Sequence, residues 1–267
     1  MYDMEINYTK DFGTKKQLIT FKQIIIVLLS CMLLVTIQYG YNDFSTILTQ
    51  IRYNKYLSNL ETQKNVNGLE SLKQTNSDIL AWLTINDVNL SVPIVKTNSS
   101  QDEDFYLTHG FDKKQNSLGC PYQKYDCDFD NNNTLFVGHS SYTMTVFGHK
   151  TSESIFGKLN TYTNTTSNFD YLVKLETFNG TKNYKIIGCF FYNVTNTSSP
   201  TYQEVTNNIY ANNISSTSSY NNFINTLKMY NLLDNNFKSS YLDHFITLFT
   251  CYYNLDFRTI VVAKEIQ

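Results

Sequence analysis

Apolar residues occur along this chain in three successive textures. From Ile24 to Tyr41 they run almost unbroken, interrupted by Ser30, Thr36 and Gln38, with Lys10, Lys15, Lys16 and Lys22 on the N-terminal side. That pattern predicts a retained transmembrane signal anchor over 24–41, a cytoplasmic segment over 1–23, and the rest of the chain outside. Over 42–75 the apolar positions Ile47, Ile51, Tyr56 and Leu60 fall at helical spacing with few breakers, which predicts a juxtamembrane helical stalk. From Asn76 onward the texture becomes short β-type runs. Strands are predicted at 78–85, 90–95, 134–137, 171–178, 184–191, 245–251 and 258–263. Two stretches read as helical, a short acidic one at 101–107 and a longer one at 219–233 with Phe223, Ile224, Leu227 and Leu232 as its apolar residues. The Asn/Thr/Ser-rich segments 161–168 and 193–218 read as surface loops. Residues 76–267 therefore form one mainly β domain, a barrel or sandwich, with a helix before its last two strands.

Composition narrows the function classes. The formal net charge is −2 and no basic patch exists, which argues against nucleic acid as a partner. The five cysteines are odd in number and irregularly spaced, so they do not form a disulfide framework. Cys120 and Cys127 could pair or form a metal half-site, but they read more simply as buried thiols, and no cofactor is implied. One bias is informative. Of 21 basic residues only Arg52 and Arg258 are arginines. A guanidinium stays charged and offers a planar fork of donors that Lys lacks.

Arg258 falls where that difference matters. The run Phe245–Phe249 ends in Thr250-Cys251, a short polar turn at 254–256 follows, and Thr259–Ala263 returns. A strand, hairpin and strand place Cys251 and Arg258 at the same end of the pair. A thiol beside a fixed cation suits a nucleophile, since the thiolate is the reactive form. A buried structural cysteine with an unrelated Arg fits these two residues equally well. A base must also be found among four histidines. His244 lies at the far end of the same strand, too distant to reach Cys251. His109 follows the acidic helix and reads as surface. His139 ends the strand-like run Thr134-Leu135-Phe136-Val137-Gly138, whereas His149 sits in a looser Gly-His context. Position favours His139.

Together these residues resemble the sortases, membrane-anchored cysteine transpeptidases of Gram-positive bacteria. Thr247-Leu248-x-Thr250-Cys251, a following Arg and an upstream strand-Gly-His carry the likeness. The match is closest to class B: Asp78–Leu83 resembles its domain opening, Pro93-Ile94-Val95 its Pro-Val-Val, Phe105-Tyr106-Leu107 its Tyr-Tyr-Leu, and Asn133–His139 its Asn-Thr-Ile-x-Tyr-Gly-His. A Met-Phe pair usually follows the family's catalytic His. Val146-Phe147 stands near the expected distance from His139, and Ile155-Phe156 nearly as well from His149, so one Gly-His segment belongs to an insertion. The Asn-Thr-strand context selects His139. The Cys251–Arg258 gap is short for the family, and Val137 replaces a common Tyr.

The resemblance implies a closed sortase-like β-barrel with N-terminal helices and an extra helix before the cysteine strand. It implies that Cys251, His139 and Arg258 are catalytic, and that Leu107, Thr250 and Tyr210 line the signal pocket, with Glu103 where class B enzymes often carry a substrate-facing Asn. The expected partners are secreted proteins bearing a C-terminal sorting signal and a cell-wall peptide amine, at the outer face of the cell membrane. A pilin-polymerising sortase using a Lys amine, or a non-catalytic membrane-tethered binding ectodomain, are the alternatives.

Overall fold

A computed structural model describes residues 8–124, 127, 131–140, 142–144, 150–152, 155–164, 168–211, 214, 216–233, 236–252 and 256–266, with side chains left aside at 8–22, 39–43, 45–47, 142–144 and 150–152. The chain divides into two compact units, residues 1–49 with 144–149 and residues 50–143 with 150–267. The first is built on the N-terminal part of a long helix, α1 (Tyr8–Asn67). Its described side chains from Gln23 to Gln38 are all exposed. Among the described residues no helix is long and apolar enough to cross a membrane.

The second unit begins with the remainder of α1. Tyr53, Leu57 and Leu60 are buried in the main core, so this half of the segment read as a stalk packs as part of the domain. Tyr53 also donates its hydroxyl to the Gly119 carbonyl at 2.8 Å. Lys64, nearly buried, meets Glu176 at 2.7 Å and lies 5.3 Å from the Trp82 ring centre.

The strands are β1 (Ile79–Ile85), β2 (Leu90–Lys96), β3 (Tyr122–Gln123), β4 (Asn133–Val137), β5 (Tyr142–Met144), β6 (Lys150–Ser152), β7 (Leu172–Thr177), β8 (Gly180–Asn193), β9 (Phe245–Cys251) and β10 (Phe257–Ile266). Eight of them close a barrel in the order β1-β2-β3-β4-β9-β10-β8-β7, and β5 and β6 pair separately. Closure leaves no open edge among those eight, which removes a route to aggregation. Two neighbouring pairs, β2–β3 and β4–β9, are parallel, and the other barrel pairs are antiparallel.

Two cores explain why the last strands read as unbroken apolar runs. Ile246, Leu248, Val261 and Ala263 fill the barrel, while Phe245, Phe249, Ile260 and Val262 join a second core outside it. Strands buried on both faces lose the alternation of a half-exposed sheet. The second core is roofed by α2 (Pro200–Glu204), a π-turn at Val205–Ile209, and α3 (Thr217–Tyr230). Leu227 of α3 seats so closely over Gly188 of β8 that a Cβ there would stand 2.4 Å from it.

Several expectations change. The segment 193–218 is no plain loop: Ser199 caps α2 with Pro200 in its first turn, and Val205, Ile209 and Ile214 are fully buried. The helix expected at 101–107 shrinks to a 3-10 turn at Phe105–Leu107. Cys120 lies in the first core and Cys127 in the second, which separates two thiols that proximity in sequence suggested as a pair.

Candidate active site

One rim of the barrel gathers the ends of β4 and β9 and the start of β10. Cys251 closes β9 and stands directly opposite Arg258 in the antiparallel ladder. On its other side β9 runs parallel to β4, with Val137 paired to Phe249 and the Gly138 N–H donating to the Phe249 carbonyl at 3.0 Å. Two residues beyond that pair stand His139 on one strand line and Cys251 on the other. Since adjacent strands lie about 4.8 Å apart, the ends of β4 and β9 and the start of β10 form successive lines of one rim, with His139 just past the first, Cys251 on the second and Arg258 on the third. Cys251 continues the parity of Phe245 and Phe249, which belong to the outer core.

The other histidines are elsewhere. His244 is exposed at the opposite end of β9. His109 stacks on Phe105, 3.9 Å between ring centres, and its Nδ1 lies 2.8 Å from the Phe105 carbonyl. His149, Val146, Phe147 and the hairpin tip 253–255 lie outside the described residues.

The glycine before His139 has a packing reason. A Cβ on Gly138 would fall 2.4 Å from two ring carbons of Phe156. Phe156 opens a 3-10 helix, Phe156–Thr163, and is fully buried in the barrel core, with Ile155 beside it. The Gly-His step thus turns out of β4 over the Phe156 ring. From the same helix, fully buried Asn160 donates its Nδ2 to the Cys251 carbonyl at 3.2 Å, and its Oδ1 accepts from the Thr259 hydroxyl.

Electrostatics differ among the thiols and the imidazole. Burial pushes the Cys120 and Cys189 thiols far up, which keeps them protonated and inert, whereas Cys251 is half-buried. Burial also lowers the His139 pKa from 6.5, favouring the neutral imidazole. Arg258 donates through Nη1 to the Phe257 carbonyl at 3.2 Å. Across the ladder it faces Tyr192, whose hydroxyl lies 2.7 Å from that of Tyr210. Burial pushes both phenols up, and the Arg258 charge acts against that in each.

Tyr210 lies flat on Phe249, two residues before the cysteine, with 4.2 Å between ring centres. Asn133 holds it there. Its Nδ2 donates to the carbonyls of Ile209 and Ala211, at 3.1 and 3.0 Å, and its Oδ1 accepts from the Thr247 hydroxyl at 2.8 Å. Asn133 belongs to the Asn-Thr-strand-Gly-His run, but its bonds reach 76 and 78 residues along the chain, beyond what a local motif reveals. The remaining pocket candidates scatter. Leu107 is half-buried, with its carbonyl close to Gly119, just before β3. Glu103 is exposed and ion-paired to Lys124 at 2.9 Å, just past the C-terminal end of β3. Thr250 pairs with inward Thr259, is buried, and its hydroxyl has no hydrogen-bond partner among the described residues. Among the described residues no cluster of three or more His, Cys, Asp or Glu could hold a metal.

No protein-family model matches the chain. A curated relative, Sortase B of Listeria monocytogenes, is 28% identical over 199 residues, covering 70% of each chain. Among solved structures, Clostridium perfringens sortase B superposes with a TM-score of 0.59 at 22% identity, over 74% of this chain and 99% of its own. The Staphylococcus aureus sortase B–substrate complex gives a TM-score of 0.64 at 16% identity, over 82% of this chain and 99% of its own. The barrel is thus the fold of those proteins.

Proposed function

We propose that this chain, a sortase-family cysteine transpeptidase most like class B, uses Cys251, His139 and Arg258 to move an acyl-threonine from a sorting signal to an amine. The observation that carries this assignment is the register: Arg258 opposite Cys251, and His139 two residues beyond the Val137–Phe249 pair. The Cys251 thiolate attacks the carbonyl of the signal's Thr, and the guanidinium of Arg258 stabilises the oxyanion that develops there. The C–N bond breaks as the imidazolium of His139 gives its proton to the leaving amine, which leaves a thioester. An incoming amine attacks that thioester, His139 takes its proton, and the thiolate departs with the peptide bond restored.

The chemistry needs the thiolate and the imidazolium at the same time. At ordinary pKa values, independent Cys and His would both be ionised in under about 1% of molecules at pH 7. Burial of His139 lowers that fraction further. Unless the two charges support each other, turnover runs on a minor form and is slow.

The signal is of the Asn-Pro-x-Thr type, and the acceptor is a cell-wall peptide amine. A Staphylococcus aureus structure of the same fold is a sortase B–substrate complex, which supports a substrate for this barrel. Tyr210, fixed beside Phe249 and Arg258, is the pocket wall with a contact to the cysteine strand, and Leu107 is carried over from the family resemblance. The placement at the cell membrane, with the catalytic domain outside, rests on sequence alone: the apolar run 24–41 with lysines before it.

The test uses the full chain in detergent with quenched signal peptides and an amine acceptor, alongside Cys251→Ala. Cleavage of the Asn-Pro-x-Thr peptide with acceptor-linked product, and none from the variant, supports the reading. A chain that cleaves no peptide, with Cys251 slow to alkylate, sinks it in favour of a binding ectodomain. A Lys side-chain amine outcompeting cell-wall peptides would instead indicate polymerisation of protein subunits.

A further inference from the structure

The two strands that carry Cys251 and Arg258 are tied together by one buried side chain from a third element. Carbonyls two residues apart on a strand point the same way. The Phe249 carbonyl takes the Gly138 N–H from the β4 side, so the Cys251 carbonyl points to the same side. There β4 has already ended at Val137, because the chain must leave the ladder to present His139. Asn160 supplies the donor in its place, through Nδ2 at 3.2 Å. Its Oδ1 is held by the hydroxyl of Thr259, the residue next to Arg258. Asn160 and Thr259 are fully buried, so water does not compete for the bond between them, while the bond to the Cys251 carbonyl is partly buried. The Tyr252 N–H donates to the Phe257 carbonyl at 3.0 Å, which makes Cys251 and Arg258 a pair without ladder bonds to each other. The ladder holds them through the neighbouring pairs, and Asn160 adds a direct grip on the Cys251 carbonyl itself.

We propose that Asn160 is a positioning residue, which fixes the Cys251 main chain against β10 and so sets the nucleophile relative to His139 and Arg258. The role in turnover rests on the sortase reading; the placement of the thiol does not. An Asn is required because one end must donate and the other accept. Asp would set a carboxylate oxygen against the Cys251 carbonyl, and Ala would leave that carbonyl and the Thr259 hydroxyl unpaired.

The test compares wild type, Asn160→Ala, Asn160→Asp, Thr259→Val and Thr259→Ser in the full chain. It measures peptide cleavage, the pH profile of Cys251 alkylation by iodoacetamide read by peptide mass mapping, and thermal unfolding. Displacements of about an ångström cost up to about 100-fold in rate, so Asn160→Ala should lose about 10- to 100-fold in kcat with KM within about twofold. Asn160→Asp should lose at least as much, Thr259→Val less, and Thr259→Ser should retain wild-type kcat. The alkylation profiles of Asn160→Ala and Asn160→Asp should shift along the pH axis. A folded Asn160→Ala chain with unchanged kcat and alkylation profile would overturn the proposal. So would losses that follow only the unfolded fraction. If the wild type cleaves nothing, the sortase reading fails while the alkylation profiles still decide the role of Asn160.

Discussion

Cys251 and Arg258 face each other across the last two strands, and that register brings a fixed cation to a half-buried thiol. The guanidinium is the natural partner for charge that develops on a carbonyl oxygen, and its fork of donors is not reproduced by an ammonium. Arg258→Lys should therefore lose about 100- to 1,000-fold in kcat, on the scale of removing one oxyanion donor. Peptide cleavage kinetics check this, and a Lys variant within about threefold of wild type would count against the role.

His139 predicts a pH effect on stability. Its folded-state pKa is lowered from 6.5 by burial, so the unfolded chain takes up that proton more readily. The stability it contributes is full above 6.5 and is lost as pH falls towards the lower folded value. His139→Gln should lose less stability than wild type between about pH 7 and pH 5 in chemical denaturation. An imidazole midpoint at or above 6.5 by NMR would contradict the premise.

Asn133 separates binding from chemistry. It bonds the carbonyls on both sides of Tyr210 without touching Cys251. Asn133→Ala should raise KM for the signal peptide about tenfold, equivalent to about 1.4 kcal/mol of lost ordering, and change kcat far less. A change confined to kcat would place Asn133 with the reacting groups instead.

Gly138→Ala should disturb the rim through packing alone. Its Cβ would lie 2.4 Å from Phe156 ring atoms and 2.8 Å from the Phe156 Cβ, the near end of that side chain. Overpacking of this kind costs about 1–3 kcal/mol. Phe156→Leu in the same chain should recover part of the loss in unfolding free energy. No recovery would mean that the glycine serves another purpose.

Lys64 and Glu176 tie α1 to the barrel. Burial pushes the Glu176 carboxyl up, but the hydrogen bonds and charges of Lys64 and Lys174 outweigh it and hold the pKa below 4.5. Its stabilisation is present above 4.5 and is lost as pH falls through the folded value. Lys64→Met should cost about 2 kcal/mol near neutral pH, the worth of a charge-assisted hydrogen bond. It should also flatten the acid side of the stability curve. Denaturation at several pH values decides, and an unchanged slope would rule the pair out as the source.

The candidate nucleophile and cation were legible because their placement is local: two apolar runs and a short turn fix which residues face each other. The barrel was legible for the same reason, in the runs of β1, β2, β8, β9 and β10. Two-residue β3 was not, since it is held in place by its neighbours rather than by any pattern of its own. Nor were α2 and its π-turn, hidden in an Asn/Thr-rich stretch although Ser199-Pro200 marks a helix start. Asn133, Asn160 and Tyr192 escaped for a different reason. Each acts through a partner distant in sequence, and in a chain crowded with Asn and Tyr nothing local distinguishes the buried ones.

The parallel pairing of β4 with β9 also bears on how the chain folds. Asn133 and Thr247, joined by a hydrogen bond, are 114 positions apart, so the pairing of β4 with β9 closes a large loop. Such contacts are slow to form, because a large loop must close before they return any stabilisation. Cys251 is synthesised long after His139, and the β4–β9 pairing is what brings their strands together. A chain in which β4 and β9 have not paired therefore carries the candidate thiol apart from its imidazole.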